Sequence, residues 1–176
     1  MLRRMDIKTI VIGGGPVTSL LVLKTSDGDE SDAASLPIRI GSVEATAISM
    51  GVEPAEGSRP MTHDLLKNVM EQLGGHLRSV IISRVEGTTF YASLDIINSA
   101  GEQVLVDCRP SDAISLAVRC GAPIYAESDV LDVAGMPDFD AIKEEEQEHE
   151  MKEFHDFVEG LSPDDFNVAG PGEKHA

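Results

Sequence analysis

The sequence predicts an α+β fold: a duplicated unit of three β-strands followed by a helix, forming mixed or antiparallel sheets packed with helices, with an acidic helix at the C-terminal end. Three observations carry this expectation. Six runs alternate apolar and polar residues with the period of half-buried strands, and they fall into two sets of three. Each set leads into a short apolar helix whose first turn holds an acidic residue followed by alanine, Glu44-Ala45 in one and Asp112-Ala113 in the other. Residues 127–176 then carry 16 of the 31 acidic residues and only 3 of the 14 basic ones, a composition unlike that of the preceding chain.

The first set is "KTIVI" (8–12), "TSLLVLK" (18–24) and "SLPIRI" (35–40), separated by connectors rich in Gly, Asp and Ser. The second is "RSVIIS" (78–83), "TTFYASLDII" (88–97) and "EQVLVDC" (102–108). An offset near 70 lays Ile10, Val11 and Ile12 over Val80, Ile81 and Ile82, and an offset of 68 aligns the two acidic-alanine pairs. Self-similarity at a fixed period reads as a repeated supersecondary unit, with halves over about 5–50 and 76–120. Chance likeness of short β motifs is the alternative.

Between the halves, Leu65, Leu66, Val69, Met70 and Leu73 recur at helical spacing and predict a connecting helix over about 63–73. Thr62 is its expected N-cap, Asp64 suits the positive end of its dipole, and Gly74-Gly75 ends it. The domain is expected to close near residue 134. A charged helix over about 138–160, with Met151, Phe154, Val158 and Leu161 on one stripe, then begins the acidic segment 135–176.

A chain of 176 residues can bury a substantial core without staples. Cys108 and Cys120 fit no metal or redox spacing and read as reduced core thiols. No apolar run near the N-terminus has the length of a signal or a membrane span, so a cytoplasmic location is expected. The formal charge of −17 falls to −4 when only residues 1–126 are counted, so the tail does not decide against a nucleic-acid partner. His149 and His155 are six apart and share no helix face at metal-ligand spacing. The glycines at 13–15 do not form GxGxxG, and neither G-x-S-x-G, HExxH nor GK[ST] occurs.

The chemistry-bearing residues gather at the strand-to-helix junctions. Taken singly, Ser42, Glu44, Ser111 and Asp112 are caps or first-turn acids, and Arg109 before Pro110 is an ion-pair partner. Taken together, Glu44, Asp107 and Asp112 offer hard oxygen ligands for Mg²⁺ or Mn²⁺. Arg109 offers a fork for two phosphate oxygens. His63, beside Asp64 at a helix start, is the candidate general acid or base, although spacing alone favours an ordinary, partly exposed first-turn histidine. His63, Asp64 and Arg109 are therefore the catalytic candidates, with Arg39, Arg59, Arg109 and Ser111 for substrate binding and Glu44, Asp107 and Asp112 for metal.

"LPIRIGSVEATAI", "GVEP", "RPMTHDLL", "GTTFYASL" and "CRPSDAISLAVRCGAPIYAESDVL" resemble, in order and spacing, the bifunctional nuclease domain family of bacteria and plants. The likeness covers roughly residues 5–134. It implies a mixed α/β domain of two β-rich repeats with activity on DNA and RNA. Arg39 departs from the family's usual apolar or aromatic residue, and "AEGS" and "SDGDESDAAS" lengthen two loops. The leading expectation is a metal-dependent nuclease that acts on nucleic acid, does not enter membranes, and forms a homo-oligomer through the domain or the acidic helix. The alternative is a non-catalytic oligomeric module that binds a protein or a small anion. Scarce aromatics, about 4% of the chain, favour the alternative.

Overall fold

The computed structural model describes residues 1–14, 18–26, 33–53 and 59–137. The expected acidic helix lies outside them, as does most of the two lengthened loops. The chain is α+β. Strands β1 (Leu2–Val11), β2 (Ser19–Thr25) and β3 (Ala34–Ile40) lead into α1 (Ser42–Val52), and α2 (Thr62–Gln72) connects onward. Strands β4 (His76–Glu86), β5 (Thr89–Ile97) and β6 (Gln103–Cys108) lead into α3 (Pro110–Cys120). Then come β7 (Ile124–Glu127), α4 (Ser128–Ala134) and the two-residue β8 (Met136–Pro137).

All strands join one mixed sheet in the order β6-β5-β4-β7-β1-β2-β3-β8. Each set of three is an antiparallel meander, and β7 ties the two meanders together. It runs parallel to β4, with Val80 opposite Ile124, and antiparallel to β1, with Met5 opposite Ile124. This four-residue strand has no counterpart among the expected elements, because "PIYAE" is too short to show alternation. Strand β1 also begins six residues before the expected "KTIVI", since Leu2 to Met5 pair with β7.

Alternation along the strands sets the core. Leu21, Leu23, Leu36, Ile38, Val80 and Ile82 are buried, as are Ile48 of α1 and Ile114 and Leu116 of α3. Burying such side chains stabilises by roughly 1.5–3 kcal/mol each relative to exposure. Helices α1 and α3 pack through small residues: Ala45 and Ala47 on one, Ala113 and Ala117 on the other, all buried. Gly51 lies where any side chain would run into Val118 and Arg119. Gly121, at φ +64°, ends α3 in the left-handed conformation that glycine adopts without strain.

The helix caps correct the sequence expectations. Helix α2 starts at Thr62, and its N-cap is Met61, whose N–H donates to Asp64 Oδ2 at 2.8 Å. Helix α1 is capped by Gly41 rather than Ser42, and α3 by Arg109 rather than Ser111 or Asp112, none with a side-chain cap bond. Pro110 stands at the first helical position, where its missing N–H costs no bond. Both cysteines are free and half-buried, and burial pushes the Cys108 thiol up to about 11 and the Cys120 thiol above its ordinary range.

Candidate functional site

The first turns of α1, α2 and α3 come together, and each contributes a polar side chain. Glu44 is the third helical residue of α1, His63 the second of α2, and Asp112 the third of α3. Arg109 enters just before α3 because Pro110 keeps it extended, at φ −72° and ψ 147°. From there its guanidinium bridges the two junctions. Nε donates to Asp112 Oδ2 at 2.7 Å, Nη2 to Asp112 Oδ1 at 3.1 Å, and Nη1 to Glu44 Oε1 at 3.2 Å. His63 Nε2 lies 3.3 Å from Asp112 Oδ1. Asp112 thus holds an arginine on one side and a histidine on the other.

The electrostatics follow from these contacts. The Arg109 hydrogen bonds hold the Asp112 carboxyl below its usual range, with His63 adding in the same direction. Asp112 in turn raises Arg109 above its already high value. The side chain of Arg109 remains 66% exposed, whereas that of His63 is 15% exposed. A guanidinium has five N–H donors, and three are engaged among the described residues, which leaves two for a ligand.

The cluster sits between two hollows. A cleft of about 380 Å³ is lined by Arg39 and Ile40 of β3, Gly41 and Glu44, Arg109 and Ser111, and by Thr88, Thr89 and Phe90 around the β4–β5 turn. Since β3 and β5 lie far apart in strand order, the sheet must curl to bring them onto one cleft. A second groove of about 320 Å³ runs between the starts of α1 and α2, with His63 at its edge. Glu44 therefore faces one hollow and His63 the other.

Of the candidates read from sequence, Glu44, His63, Arg109 and Asp112 are brought into direct contact, and Arg39 and Ser111 share their cleft. Asp64 belongs to a different set of contacts. It accepts from the Met61 N–H and from Arg119 Nε at 2.7 Å, and first the backbone bond, then Arg119, lowers its pKa. Arg59 is exposed ahead of α2 and lines neither hollow. Asp107 is exposed on β6. Its neighbour Cys108 packs against the core, and adjacent strand residues point to opposite faces, so Asp107 is turned away from that side.

Both oxygens of Asp112 and Oε1 of Glu44 accept from Arg109, and Asp107 is elsewhere. Among the described residues no three His, Cys, Asp or Glu side chains form a ready ligand set. Of the metal triad expected from sequence, Glu44 and Asp112 are bridged by Arg109, and Asp107 is not brought beside them.

Two contributors were missed in the sequence. Arg119 follows the apolar run of "ISLAVRC" in the last turn of α3, and a lone cation in an apolar helix must find a partner on burial, which was the available signal. Phe90 looked like an ordinary strand aromatic, and nothing local marks it as cleft lining.

The bifunctional nuclease domain family matches residues 21–138 of the chain. An uncharacterized protein of Mycobacterium tuberculosis (strain ATCC 25618 / H37Rv) is 38% identical over 153 residues, 85% of this chain and 88% of that protein. A protein of Arabidopsis thaliana described as bifunctional nuclease 1 is 30% identical over 106 residues, 59% of this chain and 32% of its own length. Bifunctional nuclease 2 of the same plant is 29% identical over 108 residues, 60% of this chain and 32% of its own.

Proposed function

The chain belongs to the bifunctional nuclease domain family, and from that premise we propose that it hydrolyses phosphodiester bonds of DNA and RNA at the cluster of Glu44, His63, Arg109 and Asp112. The observation that carries the reading is Arg109 itself: exposed at the edge of a cleft, yet fixed by carboxylates from two separate junctions. Preorganised donors at the position where phosphoryl charge develops stabilise the transition state without reorganising. The two spare N–H bonds of Arg109 suit two phosphate oxygens. The convergent helix starts add positive dipole ends, which favour a phosphate.

His63 supplies the proton transfer. With the proton on Nε2, that N–H donates to Asp112, and Nδ1 takes a proton from a water on the side of the groove that His63 lines; the water oxygen bonds to phosphorus as the P–O bond to the departing sugar oxygen breaks, and that oxygen takes a proton from solvent. Asp112 stays ionised, because its pKa is lowered, and stabilises the imidazolium that results. With His63 neutral, Glu44, Asp112 and Arg109 sum to one negative charge, which Arg39 in the same cleft offsets. A divalent ion would be held by Glu44 and Asp112 and would supply charge neutralisation at the phosphoryl oxygens. No step above requires one.

The second reading is a non-catalytic module. It is favoured by the exposed apolar face of α2, where Leu65, Leu66, Val69 and Leu73 are 43–74% exposed. Homo-oligomer formation belongs to the proposal in either reading, with α2 as the contact face. Among the described residues no helix is long and apolar enough to cross a membrane.

The test is cleavage of supercoiled plasmid and of single-stranded RNA, with Mg²⁺, Mn²⁺ or EDTA, by purified protein and by a folded His63→Gln variant. General acid–base catalysis contributes about 10²- to 10⁴-fold, so the variant should lose that much on both substrates. Equal cleavage by both proteins would remove His63 from the mechanism. No cleavage by either would favour the binding module.

A further inference from the structure

We propose that the cleft beside Arg109 is a nucleotide subsite that takes one unpaired nucleotide of a single strand, with its base on Phe90 and its phosphates on Arg39 and Arg109. The inference rests on the nuclease reading and adds the form of nucleic acid that the site accepts.

Phe90 is half-buried and packs against the core while lining the cleft, so its ring is held in place before a ligand arrives. It follows directly on the tight turn at Gly87-Thr88, where Gly87 takes φ +59°. A base stacks on such a ring through its π-face, which every base has, so the contact serves DNA and RNA alike. The opposite wall supplies charge. Among the described residues Arg39, exposed on β3, makes no ion pair, and Arg109 keeps two N–H bonds free. Thr88, Thr89 and Ser111 line the same space. Two cations facing one aromatic across the cleft suit a nucleotide whose base rests on one wall and whose phosphates meet the other.

Size then selects the form. At about 380 Å³ the cleft lies near the lower end of small-ligand pockets, which suits one nucleotide. A base inside a duplex has both faces covered by its neighbours and must leave the stack before it can reach Phe90. Single strands, loops and frayed ends avoid that cost.

The chain contains no tryptophan, so Phe90→Trp places a single reporter in the cleft. Its fluorescence, read in a His63→Gln background so that strands are not consumed, should be quenched saturably by oligo(dT) and oligo(U). A blunt duplex of the same length should leave it unchanged. Phe90→Leu keeps apolar volume against the core without the ring, and should bind fluorescein-labelled oligo(dT) about 5- to 150-fold more weakly at an unchanged urea midpoint. Binding by Phe90→Leu equal to the parent, or quenching by duplex equal to that by single strand, would overturn the subsite. Cleavage by the parent without these responses leaves the nuclease reading in place and removes the subsite. Saturable quenching without any cleavage keeps the subsite and removes the nuclease reading.

Discussion

Arg109 and Arg119 stand at the two ends of α3, and each donates from Nε to an aspartate at 2.7 Å, yet they serve different purposes. The side chain of Arg119 is 5% exposed. It reaches Asp64 of α2, the Ala47 carbonyl of α1 at 3.0 Å and the Ser115 carbonyl of α3 at 2.9 Å, and so fastens the three helices whose first turns build the site. Lys67 of α2 adds a bond to the Arg119 carbonyl. Arg109 is 66% exposed and spans only the two acidic first-turn residues at the cleft. Identical ion-pair length therefore says little. Desolvation separates a staple, whose loss strands the carbonyls of buried Ala47 and Ser115, from a surface pair worth about 0–1 kcal/mol to stability and free to engage a ligand.

The contrast predicts a graded series. Arg119→Met keeps the apolar stem but removes the pairing, and should cost about 2–4 kcal/mol by urea unfolding. An unchanged midpoint would show that Arg119 is no staple. Next in size, Gly51→Ala brings a methyl to within 2.5 Å of Arg119 Nη1 and 2.6 Å of Val118 Cγ2, and should cost about 1–3 kcal/mol through displacement of the same guanidinium. Gly41→Ala acts at the other arginine, since the added methyl meets the Glu44 carboxylate at the far end of a flexible side chain. It should cost under about 1 kcal/mol of stability while turnover falls about tenfold, because Arg109 loses one of its two anchors.

The smallest effects are in titration. Asp64 and Asp112 both have lowered pKa values when folded, so the stability they lend is complete above their ordinary value of 3.8 and is lost as pH falls below it. Their leading causes differ. Arg109→Ala removes the largest influence on Asp112 and should return its carboxyl towards the ordinary range. Arg119→Lys should leave Asp64 depressed, because the Met61 N–H is its largest cause. Carboxyl chemical shifts followed against pH would resolve the two cases.

The same contrast shows what was legible in the sequence. Six strands and α2 could be read from their periods, and α1 and α3 from the acidic residue and alanine that open each after a strand. Strand β7 could not, since four residues paired on both sides carry no alternation. At the site, Glu44, His63, Arg109 and Asp112 were readable because they crowd the helix starts. Asp107 misled by proximity: it is two residues from Arg109 in sequence but turned away by the strand's alternation. The Asp64–Arg119 pair spans 55 residues, and only the anomaly of a cation within an apolar helix pointed towards it. Thr62 and Ser42 looked like caps because hydroxyls commonly are, whereas Met61 and Gly41 take those places and the first-turn acids make the contacts that matter.

The most direct test of the central claim compares Arg109→Ala with the unsubstituted protein, by cleavage of labelled single-stranded RNA and by urea unfolding of the same preparations. The expected result is a fall in cleavage of about 10²- to 10³-fold with the unfolding midpoint moved by no more than a surface pair warrants. Retained cleavage by a folded Arg109→Ala protein would contradict the assignment, and would make the bridge between Glu44 and Asp112 a structural tie rather than a reactive site.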